Sequence, residues 1–294
     1  MRELEGRVAI VTGAGRGIGR EHALLFATEG ARVVVNDLGG TVDGKDADAS
    51  AAARVVEEIR AAGGQAVANH DDVASWDGAK RLVDTALEEF GDLHVLVNNA
   101  GILRDRMLVN MSESEWDAVI RVHLKGHFGP MRHAAAYWRE QAKAGSDAKR
   151  AVVNTSSTSG LFGNAGQANY GAAKMGIAAL TMIAADELAR FHVRVNAIAP
   201  AAFTRLTEGV LSTESAADAR MDPANISPFV AYLSTADCPI TGRCFFLIGG
   251  EVHLFQPFAI VDKVEKDGRW TVAELREEAA RLADVKFDLN NPWA

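Results

Sequence analysis

Short apolar runs alternate along this chain with longer stretches in which apolar residues recur at helical spacing. The first run covers residues 7–12, is rich in β-branched residues and ends at a cluster of glycines. Such a run is typical of a strand that is buried on both faces. The same pattern predicts further strands at residues 31–36, 66–69, 94–98, 151–155, 193–197 and 244–248.

Helices are expected between these strands. Helical spacing predicts them at residues 18–29, 49–62, 77–90, 113–142 and 170–190, with a break in the fourth near residues 126–130. The alternation of strand and helix indicates an α/β fold, a doubly wound parallel sheet with helices on both faces. We therefore predict one domain over residues 1–250. A C-terminal extension over residues 251–294, with a helix at 272–282, would pack on that domain or on a neighbouring subunit.

Composition and charge narrow the class of protein. The 294 residues suffice for one large α/β domain, and no apolar run approaches the roughly 20 residues that span a bilayer. The first residues run directly into the first strand pattern, so we expect no secretory leader, no membrane partner and a cytoplasmic location. The net charge of -8 argues against a nucleic-acid partner. Cys238 and Cys244 fit neither a metal site nor a disulfide framework, and we predict no metal.

A glycine-rich segment joins the first strand to the first helix. Glycines there let backbone amides approach a pyrophosphate at the N-terminus of a helix, which predicts a dinucleotide site. The spacing of Gly13, Gly17 and Gly19 is wider than in the usual GxGxxG, and a glycine-rich turn without a ligand is the alternative interpretation. The residues expected to bind the cofactor here are Gly13, Gly15, Arg16, Gly17, Ile18 and Gly19.

Asp37 ends the second predicted strand, eighteen residues after Gly19. A carboxylate at that place accepts hydrogen bonds from the ribose hydroxyls of adenosine and repels a 2′-phosphate, which favours NAD over NADP. Arg16 is a counter-argument, because a basic residue in the loop can assist a 2′-phosphate. Further cofactor contacts are expected after the third and fourth strands, from Asp72, Val73, Asn99, Ala100 and Gly101.

Tyr170, Lys174 and Ser157 are the candidate catalytic residues. Tyr170 and Lys174 are four residues apart on a predicted helix and share a face, so the ammonium would lower the pKa of the phenol. A phenol with a lowered pKa can exchange protons near neutral pH. Ser157, thirteen residues upstream, would hold the reacting oxygen. Considered alone, the tyrosine and lysine would be interpreted as a surface pair and Ser157 as part of an ordinary loop.

Together these motifs resemble those of the short-chain dehydrogenase/reductase family, along nearly the whole chain. The resemblance rests on TGxxxGxG at residues 12–19, NNAG at residues 98–101, Ser157 and YxxxK at residues 170–174. It implies a Rossmann-type fold in which Tyr170 exchanges a proton with the substrate oxygen and Ser157 polarises that oxygen. Lys174 would bind the nicotinamide ribose, and Pro200 and Thr204 would meet the nicotinamide amide. The family also implies a homodimer or homotetramer.

Two positions depart from the family pattern. His123 stands where many members have an asparagine of a proton relay, and Ala201 replaces a glycine. His123 could support a modified relay, or it could be a histidine satisfied by backbone groups, and we leave it outside the catalytic set.

A closer resemblance is to the (3R)-hydroxyacyl-CoA dehydrogenase domains of peroxisomal multifunctional enzymes of type 2, also described as 17β-hydroxysteroid dehydrogenases. It rests on residues 35–40, 99–106 and 121–124 and on the long tail. It implies NAD-linked oxidation of an acyl-CoA or steroid-like alcohol. The alternatives are an NADPH-dependent 3-oxoacyl reductase and a non-catalytic dinucleotide-binding regulator. The substrate would be selected by residues 202–222 and the tail, and CoA would be bound by Arg104, Arg106 or Arg205.

Overall fold

A computed structural model of the chain describes residues 2–44, 50–208 and 218–285. These residues contain an eight-stranded sheet in the order β3-β2-β1-β4-β5-β6-β7-β8, which confirms the predicted α/β fold. Neighbouring strands are parallel except β8, which is antiparallel to β7. The strands are β1 (Val8–Thr12), β2 (Arg32–Asn36), β3 (Gln65–Asn69), β4 (Val95–Asn98), β5 (Arg150–Thr155), β6 (Val193–Ala201), β7 (Cys244–Ile248) and β8 (Glu251–Leu254).

Helices follow most of the parallel strands and cover both faces of the sheet. They are α1 (Gly17–Thr28), α2 (Ser50–Ala61), α3 (Trp76–Phe90), α4 (Glu113–Ile120), α5 (Gly126–Lys143), α6 (Thr158–Leu161), α7 (Ala168–Leu188), α8 (Ser227–Ser234) and α9 (Val272–Glu278). A π-helical turn, Arg121–Lys125, joins α4 to α5. Short 3-10 helices lie at Leu108–Asn110, Ala189–Phe191, Ala219–Met221, Pro223–Ile226 and Ala280–Asp284.

The core lies on the two sides of the sheet because successive strand residues point to opposite faces. In β2, Val33 and Val35 pack in one apolar cluster, and Val34 packs in the other. Phe26 of α1 belongs to the first cluster and Trp138 of α5 to the second. Burial on both faces explains why these strands appear in the sequence as continuous apolar runs.

Three features differ from the expectation. The break predicted near residues 126–130 is instead the π-helical turn at Arg121–Lys125, and Pro130 lies inside α5. Strand β6 extends to Ala201, past the predicted end at residue 197. Strand β8 was not predicted. It is an edge strand of only four residues, in which polar and apolar residues alternate but all are exposed.

The chain divides into two compact units, Met1–Leu254 and Phe255–Ala294. Because β8 pairs with β7, residues 251–254 belong to the sheet and not to the extension. Within the second unit, Thr271 and Glu274 form a capping box at the start of α9, and Lys266 pairs with Glu274. The predicted helix at 272–282 is α9 followed by a 3-10 turn, and the last predicted tail residues, 286–294, lie outside the described residues.

A search of the described helices for a membrane span, a long apolar helix with few charges, finds none. Among the same residues, no group of three or more His, Cys, Asp or Glu side chains is placed to hold a metal ion.

Candidate active site

The strand order reverses between β1 and β4, and the carboxyl ends of these strands lie at one edge of the sheet. In doubly wound sheets a ligand binds in the crevice outside this reversal. The chain brings its candidate residues to the same edge, in the loops after β1, β2, β4 and β5 and at the start of α7. The predicted cofactor and catalytic residues can therefore serve one site.

The glycine loop after β1 is held in a tight conformation. Gly13 and Gly17 have positive φ angles of 62° and 54°, which L side chains rarely adopt. A Cβ on Gly13 would lie 2.7 Å from the Ala100 Cα, and one on Gly19 would lie 2.2 Å from the Gly13 carbonyl oxygen. The loop therefore requires glycine, and it leads directly into the N-terminus of α1, whose first amides are free of intrahelical partners.

Asn99 fixes the glycine loop from the neighbouring strand. Its Nδ2 donates to the carbonyl oxygens of Thr12 at 3.0 Å and Gly13 at 3.2 Å. The Thr12 hydroxyl in turn accepts from the amides of Asn99 at 2.9 Å and Ala100 at 3.1 Å. The sequence predicted that residues 99–101 line the cofactor cleft. The structure gives Asn99 and Ala100 a further task, which is to hold the shape of the loop.

The Asp37 carboxylate lies beside the glycine loop. It accepts hydrogen bonds from the Gly15 amide at 2.8 Å and the Gly39 amide at 2.6 Å. A Cβ on Gly15 would lie 2.8 Å from Asp37 Oδ2, so the loop approaches this carboxylate as closely as glycine allows. The two amides hold the negative charge at the end of β2.

Other predicted cofactor residues are placed less directly. Thr204 lies near the loop, with its methyl group 3.5 Å from where a Gly17 Cβ would be. Arg16 has an extended backbone just before α1, and Ile18 packs partly buried against the core. Asp72 forms an ion pair with Arg121, and Val73 is buried in the core. Pro200 lies within β6, opposite Leu247 of β7. Adenine or nicotinamide contacts of these residues stay predictions.

Ser157, Tyr170 and Lys174 come together as expected. Ser157 precedes α6, and its hydroxyl shares a hydrogen bond with the Tyr170 phenol. Tyr170 lies in the first turn of α7, and Lys174 Nζ is 5.3 Å from the centroid of the Tyr170 ring. The Lys174 side chain is almost fully buried and donates to the Thr155 carbonyl oxygen at 2.6 Å.

The charges of this pair correct one expectation. Burial raises the pKa of Tyr170 to about 12, although the hydrogen bond from Ser157 acts in the opposite direction. Burial lowers the pKa of Lys174 to about 7, because an ammonium loses its hydration in the interior. The lowered pKa expected for Tyr170 is therefore not found: desolvation raises it, and the lysine itself is only partly charged near neutral pH.

His123 lies against the candidate catalytic residue Tyr170. The π-helical turn directs it inward, and its ring is perpendicular to the Tyr170 ring at a centroid distance of 5.0 Å. Its Nε2 lies 2.8 Å from the carbonyl oxygen and 3.1 Å from the amide of Ile102. Burial holds the pKa of His123 well below its usual value, so the imidazole is neutral. These Nε2 contacts favour the interpretation of His123 as a histidine held by backbone groups, and its ring also packs on Tyr170.

His127 is a residue of this region that the sequence did not predict. It is buried beside Lys174 and Thr155, and burial together with the Lys174 charge holds its pKa well below the usual range. Within the described part of the chain, several buried polar atoms of this region have no hydrogen-bond partner: Asn98 Oδ1, His123 Nδ1, His127 Nε2 and Thr155 Oγ1. A spacing of four residues from His123 was the available signal, since it predicts that both histidines face the same way.

The residues present fit a dinucleotide. The glycine cradle leaves no room for side chains, amides at the start of α1 suit a pyrophosphate, and a fixed carboxylate suits ribose hydroxyls. Beside this cradle, a phenol with a serine hydroxyl and a buried lysine can exchange a proton with an oxygen atom. This combination defines a Rossmann-type oxidoreductase.

Comparison with known proteins gives the family. The sequence model described as short chain dehydrogenase matches residues 7–215. The chain belongs to the short-chain dehydrogenase/reductase family, as its motifs predicted, and members of this family use a nicotinamide dinucleotide. A crystal structure of a short chain dehydrogenase from Mycobacterium avium superposes on this chain with a TM-score of 0.86 and is 55% identical to it in sequence. The match covers 96% of this chain and 95% of the crystallised chain.

Three relatives differ in activity and length. The hydroxyacyl-CoA dehydrogenase ChsB1 of Mycobacterium tuberculosis is 44% identical over 285 residues, which cover 93% of this chain and 87% of the relative. The peroxisomal multifunctional enzyme type 2 of Drosophila melanogaster is 44% identical over 96% of this chain, which spans only 46% of that protein. A 3-oxoacyl-[acyl-carrier-protein] reductase of Synechocystis is 40% identical over 86% of this chain and 99% of its own length.

Proposed function

We propose that this protein oxidises a secondary alcohol to a ketone with NAD and that its substrate is a (3R)-hydroxyacyl-CoA. The observation that carries the proposal is the contact of Tyr170 with Ser157 and Lys174 beside a glycine cradle that holds Asp37. The substrate is inferred from the relatives named as a hydroxyacyl-CoA dehydrogenase and as a multifunctional enzyme type 2.

The proposed chemistry assigns one task to each catalytic side chain. Ser157 donates to the substrate oxygen and orients it toward Tyr170. Tyr170 takes the hydroxyl proton in oxidation or returns it in reduction, while the nicotinamide, when bound, exchanges the hydride. Lys174, held by the Thr155 carbonyl, places its amine beside Tyr170. Because burial raises the pKa of Tyr170 to about 12, oxidation should speed up as the pH rises.

The choice of NAD rests on Asp37. Its carboxylate is fixed by the Gly15 and Gly39 amides, so a 2′-phosphate at the same place would meet a negative charge that cannot turn away. Gly13, Gly17 and Gly19 would receive the pyrophosphate, with Asn99 and Ala100 supporting the loop. The roles of Arg16, Asp72, Val73, Pro200 and Thr204 belong to the same proposal.

An NADPH-dependent 3-oxoacyl thioester reductase is the second candidate. It is favoured by one relative, the 3-oxoacyl-[acyl-carrier-protein] reductase. The Asp37 carboxylate counts against it, because that cofactor carries the 2′-phosphate. A 17β-hydroxysteroid or a sterol side-chain acyl-CoA would use the same proton exchange at Tyr170 and is an alternative substrate. A non-catalytic regulator is disfavoured by the assembled Ser157, Tyr170 and Lys174.

Assembly and location belong to the proposal as well. Exposed apolar side chains occur on α4, α5 and α7 at Trp116, Phe128 and Ile183. They support a homodimer or homotetramer built on these helices. A cytoplasmic location and the division into a catalytic domain and a packed extension stay predictions. Of the substrate loop at 202–222, residues 209–217, including Val210 and Leu211, lie outside the described residues.

The direct test is stereochemical. The purified protein is given NAD with the (3R) and, separately, the (3S) isomer of a 3-hydroxyacyl-CoA, and NADH formation is followed. The proposal expects turnover of the (3R) isomer with NAD and little with NADP. Turnover with NADPH and a 3-oxoacyl thioester, in the absence of NAD-linked oxidation, would instead support the reductase.

A further inference from the structure

Three successive apolar residues are exposed at the turn that follows the fourth strand. The exposed fractions are 58% for Met107, 72% for Leu108 and 89% for Val109. Single exposed apolar residues are ordinary, but a run of three without a cover is a feature that folded proteins use for binding. We call Met107, Leu108 and Val109 the apolar turn.

The apolar turn is fixed and not loose. The Asn110 amide donates to the Met107 carbonyl at 2.8 Å, which closes a 3-10 turn. Immediately afterwards, Ser112 and Glu115 form a capping box at the start of α4. The side chains are therefore held toward solvent by an ordered backbone on both sides, and the exposure has a structural cause.

The apolar turn is tied to the segment that leads into the helix of Tyr170. The Arg106 amide donates to the Gly166 carbonyl at 2.8 Å, and Arg106 pairs with Gln167 in a parallel bridge. Gln167 is the residue before α7, whose first turn carries Tyr170. A Cβ at Gly166 would lie 4.0 Å from Met107 Sδ. The turn is thus tied to the segment that positions Tyr170.

The charged neighbours of the apolar turn are directed onto protein partners. Asp105 accepts from Gln167 Nε2 at 2.7 Å, and Arg106 pairs with Glu115 at 3.1 Å. Arg104 Nε donates to the Asp43 carbonyl at 3.0 Å. Because these charged groups are engaged, the surface left beside the site is apolar. Such a surface suits a hydrocarbon chain better than the phosphates of CoA.

We propose that the apolar turn is the surface on which the hydrocarbon chain of an acyl thioester lies when its hydroxyl group meets Tyr170. This inference rests on the proposed function and extends it, because it assigns the selection of chain length to Leu108 and Val109. A short-chain thioester would react at Tyr170 without reaching the turn, whereas a long chain would gain affinity from it.

The test compares chain lengths in the double variant Leu108→Ser/Val109→Ser. Both side chains are exposed, so the fold should tolerate the change. Leu254→Ser on β8 is the matched control, with an exposed fraction of 61%. Binding of dodecanoyl-CoA and butyryl-CoA is measured by calorimetry in the presence of NAD. We expect the double variant to bind dodecanoyl-CoA about 10-fold more weakly, with butyryl-CoA unchanged and the control like wild type.

The kinetic arm uses (3R)-hydroxydodecanoyl-CoA and (3R)-hydroxybutyryl-CoA. The expected result is a KM raised about 10-fold for the long substrate only, with kcat unchanged. If the wild-type protein oxidises neither thioester, the proposed function fails, and the binding measurement still decides the inference. Equal binding of dodecanoyl-CoA by wild type and double variant overturns it. Dissociation of an oligomer in the double variant but not in the control also overturns it, since the turn is then a subunit contact.

Discussion

The imidazole of His123 stands perpendicular to the ring of Tyr170, with the two planes at 89° and the centroids 5.0 Å apart. The arrangement depends on Gly101, because a Cβ there would lie 2.4 Å from His123 Cε1. The NNAG segment after β4 thus makes room for the histidine that packs on the Tyr170 phenol. Edge-to-face aromatic pairs contribute about 0.5–1.5 kcal/mol beyond their buried area, enough to affect the orientation of the ring.

Replacement of His123 by alanine should therefore lower kcat by about 5-fold to 10-fold, because Tyr170 loses its ring contact and Ile102 loses its imidazole partner. The dissociation constant of NADH, measured by fluorescence, should stay close to wild type. The control is His22→Ala, a buried histidine paired with Ser227 on other helices. If kcat fell equally in both variants, the loss in His123→Ala would reflect general destabilisation and not the contact with Tyr170.

The same contact predicts a compensating pair. Gly101→Ala should destabilise the wild-type protein, because its methyl group meets the imidazole. In a His123→Ala background the same substitution should cost much less. A double-mutant cycle of unfolding free energies measures this coupling. Strictly additive free energies would contradict the close packing of Gly101 on His123.

Gly13→Ala should abolish detectable binding of NADH, because the new Cβ would lie 2.7 Å from Ala100 Cα and would displace the loop. Gly91→Ala is the control that introduces backbone strain without steric overlap. Gly91 also has a positive φ, of 80°, yet a Cβ there meets nothing within 4 Å. Both variants should lose stability in a thermal melt, but only Gly13→Ala should lose the cofactor. Normal NADH affinity in Gly13→Ala would remove the glycine loop from the cofactor site.

The carboxylate of Asp37 should decide the choice between NAD and NADP. Asp37→Ser removes the negative charge held by the Gly15 and Gly39 amides. The ratio of kcat/KM for NAD to that for NADP should then fall by about 10-fold or more. The matched control is Asp71→Asn, an acidic residue just after β3 that pairs with Arg81. An unchanged ratio in Asp37→Ser would place the discrimination elsewhere.

Stability should depend on pH through Lys174. Burial lowers its pKa from 10.5 to about 7, so between these values the unfolded chain binds more protons than the folded one. The free energy of unfolding should therefore rise with pH across that window and be insensitive to this group below it. From about pH 7 to about pH 9 the gain is about 2 kcal/mol relative to Lys174→Met. Tyr170, with a pKa raised to about 12, adds nothing until the pH exceeds about 10.

Chemical denaturation at several pH values, without cofactor, measures this dependence. The exposed Lys80, replaced by methionine, is the control and should keep the wild-type slope. Parallel curves for wild type and Lys174→Met would show that Lys174 is not desolvated as described.

The sequence was sufficient for the sheet because its strands are buried on both faces and read as continuous apolar runs. The glycine loop and Asp37 could also be predicted from the sequence, because glycines directly after the first strand and a carboxylate at the end of the second suit a dinucleotide. Strand β8 gave no such signal, because its four residues alternate between polar and apolar and form no continuous apolar run. The π-helical turn was equally hidden, as a single turn of altered hydrogen bonding has no residue pattern of its own.

The electrostatics of the site were the least predictable part. Spacing placed Lys174 beside Tyr170 correctly, but the sign of the pKa shift depends on how deeply both groups are buried. Burial is a property of the assembled fold and not of a four-residue motif. For the same reason His127 escaped notice, since its contact with Lys174 forms only when α5 and α7 pack against the ends of β4 and β5.

The measurement that tests the central claim most directly is the initial rate of NAD reduction with a (3R)-hydroxyacyl-CoA, for wild type and Tyr170→Phe. A 17β-hydroxysteroid is assayed in parallel, and Tyr232→Phe, which changes a partly exposed tyrosine of α8, is the matched control. The account predicts turnover of the hydroxyacyl-CoA by wild type and Tyr232→Phe, and a loss of at least about 1000-fold in Tyr170→Phe. Full activity in Tyr170→Phe, or no oxidation of either alcohol by wild type, would contradict it.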